Sequence, residues 1–282
     1  MPFPHWLRSA SGVLVTLSCL ALSVSAQTAR EPLPGTTAYF YRTVNDLSLD
    51  LQVVEPGPEF ARPRPAIVFF FGGGWTNGSQ KQFLPFAQQL AELGLVGILV
   101  DYRVASRNKT TPFDAVDDAH AAMRWVKRNA LKLGIDPGRV VAAGGSAGGH
   151  LALCTTLIAP REPDVVSADA SLIIGYNPVA DTREERWRER FGPDASKIAP
   201  AAFVRPGLPD TLIFHGEADS TVPIRQVRDF CEAMTKAGNR CTVRGYDEAT
   251  HGFFNAGRND NRWYPQVMIE TVAFLRQHGY VD

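Results

Sequence analysis

Residues 66–71 read Ala-Ile-Val-Phe-Phe-Phe, six apolar side chains in a row, and the run stops at Gly72-Gly73-Gly74. A strand sends successive side chains to opposite faces of its sheet, so an unbroken apolar run calls for a sheet covered on both faces. Residues 95–100 repeat the pattern. Between the two runs, residues 82–93 carry apolar side chains at helical spacing and end at Gly94. Strand, helix, strand is the unit from which parallel sheets are built.

The same alternation fills the rest of the chain. Residues 38–44 and 47–54 alternate around Asn45-Asp46, as a hairpin does. Residues 112–133 predict a long helix, with Pro112 at its start and Gly134 after its end. Strands are expected over 139–144, 172–176, 211–215 and 242–246, and helices over 147–158, 227–237 and 264–277. The pattern predicts a single α/β domain with a mostly parallel central sheet and helices on both faces. No internal repeat or linker divides it. One stretch departs from the pattern: residues 181–200 are rich in Arg and Glu with little apolar period, and read as a charged insertion above the sheet.

Composition narrows the class. The chain has 282 residues, 45% hydrophobic, with 29 basic residues against 29 acidic ones. That balance argues against a general nucleic-acid binder and against a polybasic membrane patch. Residues 1–26 read as a secretory signal: Arg8 precedes an apolar stretch at 12–24, and Val24-Ser25-Ala26 offers small residues for cleavage. The apolar stretch is short of the ~20 residues a membrane span needs. Cleavage would leave residues 27–282 as a secreted or periplasmic domain with no membrane association. Three cysteines would remain, Cys154, Cys231 and Cys241. Cys231 lies on an expected helix and Cys241 opens the next strand, so these two can bridge while Cys154 stays a buried thiol; three buried thiols are the alternative.

Ser146 is the candidate nucleophile. It sits in Gly144-Gly145-Ser146-Ala147-Gly148, a G-x-S-x-G turn between a strand and a helix. Such a turn exposes the serine hydroxyl and points the N–H of the next residue, Ala147, at a developing oxyanion. A dinucleotide-binding turn would need Gly where Ser146 stands, and no P-loop Lys follows. In enzymes with this elbow the acid and then the histidine follow the serine in chain order. His278 lies on the terminal helix and His215 inside a strand, where it reads as a packed residue. His251 follows the last strand in a loop, where functional side chains project. Asp219, past the end of another strand, fits best as the acid, with Glu217 and Asp247 as rivals. The glycines at 72–74 end a buried strand and can offer further backbone donors to the oxyanion. The histidines show no H-E-x-x-H spacing, and neither a metal nor a cofactor is called for.

These motifs resemble the esterase/lipase type of α/β-hydrolase, nearest the bacterial acetyl-esterase group that includes acetylxylan and feruloyl esterases. The resemblance runs from about residue 66 to the C-terminus. It rests on FGGGW at 71–75, DYR at 101–103, GIDPGRV at 134–140, GGSAGGH at 144–150, HGEADSTVP at 215–223 and HGFF at 251–254. It implies a single α/β-hydrolase domain with Ser146 as nucleophile, Asp219 as acid, His251 as base, and Gly73 or Gly74 with Ala147 as oxyanion donors. Where this group usually has His, the chain has Phe71, which cannot brace the oxyanion loop by a side-chain hydrogen bond. The implied substrate is an ester, a small molecule or an acylated polysaccharide, cleaved by a Ser-His-Asp acyl-enzyme mechanism. Trp75 and Phe253 are placed to bound its cleft, with core packing as the alternative role. A prolyl-peptidase-type amidase and a noncatalytic binding module on the same fold are the competing readings. The resemblance leaves oligomeric state open.

Overall fold

The computed structural model describes Met1 and residues 31–282; beyond Met1, the expected signal sequence lies outside the described residues. The N-terminal hairpin forms as its alternation requires, with β1 (Thr37–Val44) and β2 (Leu47–Val54) antiparallel about Asn45-Asp46. Then follow β3 (Arg64–Phe70), β4 (Val96–Val100), β5 (Ile135–Gly145), β6 (Leu172–Tyr176), β7 (Thr211–Gly216) and β8 (Cys241–Tyr246). All eight join one sheet in the order β1-β2-β4-β3-β5-β6-β7-β8. β2 is antiparallel to both of its neighbours, and every other pairing is parallel.

The six-residue apolar run is divided between two cores. Ala66, Val68 and Phe70 face one side with Val126, Leu151 and Val227. Ile67 and Phe69 face the other with Phe86, Leu90, Val267 and Leu275. The helices involved are α1 (Leu84–Ala91), α3 (Pro112–Arg128), α5 (Ala147–Leu157), α7 (Ile224–Lys236) and α8 (Tyr264–Gln277). Between them fall the short α2 (Ala105–Asn108), α4 (Ala130–Leu133) and α6 (Arg188–Phe191). α1 and α8 cover one face, and α3, α5 and α7 the other. Each fully buried Phe or Leu contributes about 1.5–3 kcal/mol, which is why the run fits only a doubly covered strand.

Several elements differ from the expected boundaries, three of them for a clear local reason. The helix expected over 112–133 breaks at Asn129, whose side chain donates back to the Trp125 carbonyl at 2.8 Å, so α4 continues separately. β5 begins earlier than residue 139 because Ile135 pairs with Arg64 of β3. The first turn of the helix expected over 82–93 is a 3₁₀ turn at Gln80–Phe83, and the side chains of Gln80 and Gln82 bond elsewhere. Residues 181–200 contain no long helix or strand. They fold as short 3₁₀ and α turns that bury Phe191 and Ile198 while the Arg and Glu side chains face outward. Cys231 of α7 is disulfide-bonded to Cys241 at the start of β8, with a Cα separation of 5.1 Å, and Cys154 is a buried thiol. Among the described residues, no helix is long and apolar enough to cross a membrane.

Candidate active site

The sheet order places the site. β4 and β5 flank β3 on opposite sides, so the chain reverses direction across the sheet at the C-terminal ends of β3 and β5. Ligands of parallel α/β sheets bind in the crevice at such a reversal. Phe70 pairs with Gly144 there, which brings the loop after β3 against the turn after β5. Gly72 has no side chain because a Cβ would stand 3.0 Å from the Gly145 carbonyl oxygen.

Ser146 occupies that turn with φ 52° and ψ −117°. Few L-residues adopt this conformation, and it costs roughly 1–3 kcal/mol. Hydrogen bonds hold it: the Ser146 N–H donates to Tyr176 O at 2.9 Å, and its carbonyl accepts from His150 N–H at 3.0 Å as α5 begins. Close packing also requires glycine at 148, where a Cβ would collide with the Phe70 carbonyl.

Asp219 and His251 converge on this serine from the ends of β7 and β8. His251 Nε2 lies 2.9 Å from Ser146 Oγ, and its Nδ1 lies 2.7 Å from Asp219 Oδ2. The two separations sit on opposite sides of one ring, so the imidazole can donate to the carboxylate while accepting from the hydroxyl. The Asp219 side chain is fully buried, whereas that of His251 is 24% exposed. Burial by itself would raise the carboxyl's pKa. Hydrogen bonds from His215, His251 and the Val222 N–H overcome that and hold it well below the usual carboxylate range. The rivals lie elsewhere: Glu217 is paired with Arg228, and His251 contacts Asp219, not Asp247.

Residues 73–75 all have positive φ, at 128°, 62° and 56°. Gly73 and Gly74 supply two of those values without a Cβ penalty. The carbonyl of Gly73 accepts from Thr76 and Asn77 N–H at 3.1 Å each, so the turn folds on itself. The N–H groups of Gly73, Gly74 and Ala147 take no acceptor among the described residues, as donors reserved for a substrate oxygen would be. Phe71 does not leave the loop unbraced. Its ring stacks on Tyr102 with centroids 4.1 Å apart, and Tyr102 Oη donates to the Phe71 carbonyl at 2.6 Å.

Several residues missed in sequence complete the frame. The Gly72 N–H donates to Gln82 Oε1 at 2.6 Å, and Gln82 Nε2 donates to Asn255 Oδ1 at 2.8 Å. Asn255 Nδ2 in turn donates to Gly252 O, next to His251, so a side-chain chain joins the loop after β3 to the loop after β8. Asn177 Oδ1, at the end of β6, accepts from the Gly252 N–H at 2.8 Å. From the insertion, Arg190 donates to Gly74 O and Arg186 to the carbonyls of Ser220 and Thr221. None of these carries a motif; only the run of glycines and the strand ends point toward them.

Trp75 and Phe253 are not cleft walls. Trp75 is 2% exposed and packs edge-on against His150, Trp187 and Phe191, locking the insertion to the loop after β3. Phe253 is fully buried against Tyr246, Phe254 and Trp263, because its backbone turns it into the core beneath His251. His215 is buried, as expected of a packed residue, yet its Nε2 stands 3.3 Å from Asp219 Oδ2. Among the described residues, no three His, Cys, Asp or Glu side chains gather as a metal ion would require.

Known proteins resemble this chain in sequence and in fold. The BD-FAE family matches residues 51–169. Esterase LipQ of Mycobacterium tuberculosis is 32% identical over 240 residues, which cover 76% of this chain and 56% of LipQ. The chain spans about half the length of the curated relatives it matches. Among solved structures, Thermogutta terrifontis esterase 2 phosphorylated by paraoxon has a TM-score of 0.83 at 43% identity, covering 88% of this chain and 96% of that one. The propionate-bound form of the same esterase has a TM-score of 0.82 at 43% identity, with 88% and 96% coverage. The chain therefore belongs to the esterase/lipase-type α/β-hydrolases, with a BD-FAE domain, among relatives that are carboxylesterases.

Proposed function

We propose that this protein is a serine carboxylesterase that cleaves short-chain acyl esters through an acyl-enzyme on Ser146. The observation that carries this reading is the unbroken contact from Asp219 through His251 to Ser146 Oγ. His251 Nε2 takes the hydroxyl proton as Ser146 Oγ attacks the ester carbonyl. Asp219 holds the ring in the Nδ1–H tautomer and stabilises the imidazolium. The carbonyl oxygen, now negative, rests on the N–H groups of Gly73 or Gly74 and Ala147, an interaction worth about 3 kcal/mol per donor in the transition state. The alcohol leaves with the proton from His251, and water activated by the same ring releases the acid.

Short acyl groups are supported by the related esterase 2, solved with propionate bound. Acetyl or feruloyl groups on plant polysaccharide are the natural esters we assign. An exported chain suits such a substrate, and the Cys231–Cys241 disulfide accords with an oxidising compartment. A panel of p-nitrophenyl acetate, butyrate and decanoate, acetylated xylan, a feruloyl ester and a prolyl amide tests the reading. Turnover of the short esters is expected, with a loss on the order of 10⁶-fold in kcat for Ser146→Ala. Paraoxon should add one phosphoryl group, located to Ser146 by peptide mass spectrometry. Ester turnover that survives Ser146→Ala, or amide turnover exceeding that of every ester, would overturn it.

A further inference from the structure

His215 is a buried imidazole that the reaction above does not use. It lies on β7, four residues before Asp219, and its side chain is fully buried. Its Nε2 faces two acceptors, Val222 O at 2.8 Å and Asp219 Oδ2 at 3.3 Å. A nitrogen facing two acceptors carries the proton, so Nε2–H bonds the Val222 carbonyl at the far end of the acid turn and presents its positive edge to Asp219 Oδ2. Nδ1, also buried, has no partner among the described residues. A buried polar atom without a partner is unfavourable, and packing alone gives no reason to retain one.

The carboxylate is gripped on both oxygens. Oδ1 accepts from the N–H groups of Thr221 and Val222, at 2.9 Å each. Oδ2 accepts from His251 Nδ1 and stands against His215 Nε2. Remove His215, and Oδ2 keeps His251 as its single side-chain donor, while the Val222 carbonyl loses its tie to the strand. We propose that His215 is a positioning residue for catalysis: its one N–H fixes the rotation of Asp219 and divides the carboxylate's attraction between two imidazoles. This rests on Asp219 and His251 acting as proposed above.

The charged groups around this cluster are few. Arg186 of the insertion donates to the Ser220 and Thr221 carbonyls, and Glu217 of the same turn is paired with Arg228 of α7. In the loop after β8, Asp247 precedes Glu248, which is paired with Arg262. Besides His251, His215 is the ionisable side chain that stands within 4 Å of an Asp219 oxygen among the described residues.

The test compares His215→Leu, which has no donor, with His215→Gln, whose amide can occupy the Nε2 position. kcat on p-nitrophenyl butyrate should fall about 10-fold in His215→Leu with KM little changed, as expected for a misplaced catalytic group. The acid limb of kcat/KM should also move to higher pH, because a carboxylate with one donor fewer holds the His251 proton more strongly. His215→Gln should restore both. Should His215→Leu fail to fold, His215→Asn carries the same test: its shorter amide stays polar but falls short of Asp219, so it should behave as Leu does. A merely structural role predicts equal losses in Leu, Asn and Gln variants with an unmoved acid limb, and that result would overturn the proposal. So would kcat within about twofold of the parent in every variant. An inactive parent enzyme would instead sink the esterase reading itself, and Ser146→Ala measured alongside separates the two failures.

Discussion

The turn that carries Asp219 closes chiefly on its own backbone, whereas the turn at residues 72–75, beyond the two bonds to the Gly73 carbonyl, is held by side chains from distant parts of the chain. In the acid turn, Asp219 Oδ1 accepts from Thr221 and Val222 N–H, two and three residues ahead, and His215 stands against Oδ2 from four residues behind. In the oxyanion turn the supports come from Gln82, Tyr102 and Arg190, which lie 10, 31 and 116 residues from their partners. An Asp side chain can cap the N–H groups just ahead of it. A glycine turn has no side chain with which to hold itself, so its geometry is delegated. Apart from His251 and Arg186, the groups acting on the acid turn are thus near in sequence, and the side chains acting on the oxyanion loop are distributed through the fold.

The largest expected effect falls on the self-contained turn. Asp219→Asn leaves every atom in place but presents an N–H where His251 needs an acceptor. It should lower kcat about 10⁴-fold. A loss below tenfold would mean that the short contact to His251 is not what orders the base. Next in size is an acid effect through the insertion. His150, one turn beyond Ser146, bonds the Ile198 carbonyl at 2.7 Å and packs on Trp75 and Phe191. Burial pushes this histidine down to about 4 from its ordinary 6.5, against the smaller opposing pull of the Ile198 carbonyl. The unfolded chain therefore takes the proton first as pH falls. Stability fully present above pH 6.5 is lost between 6.5 and 4, by up to ~3 kcal/mol. Melting temperatures across that window should show it, and His150→Gln should flatten the slope. The smallest effect is on the delegated turn: Gln82→Leu removes the acceptor of the Gly72 N–H and the link to Asn255. It should lower kcat about 10-fold while leaving the acid limb unmoved. Shifts of the acid limb in Gln82→Leu would show that the two turns are coupled, and the contrast would fail.

The doubly covered sheet was legible because the run at 66–71 admits few other environments, and the elbow was legible because Gly144, Ser146 and Gly148 stand at a strand's end. Asp219 and His251 were found by chain order and by their place after β7 and β8. Trp75 and Phe253, for which the sequence leaves cleft and core both open, take the core, because residues adjacent in a chain point in different directions. Helical spacing through residue 82 hid the 3₁₀ turn that frees Gln82 to hold Gly72. The insertion showed no period because its four short turns bury single residues, such as Phe191 and Ile198, and not a stripe.

Patterns that act within a few residues were therefore decided in the primary structure: strand and helix periods, the serine turn between strand and helix, and the cap within the acid turn. Such interactions need little loop closure, and residue type alone carries them. Contacts across the fold were decided by how the strands are ordered. With β3 beside β5, the loop after β3 meets Ser146, and Tyr102, Gln82 and Arg190 come within hydrogen-bond reach of that loop. A side chain's direction is set by the backbone packed around it, and that packing exists only once the sheet has formed.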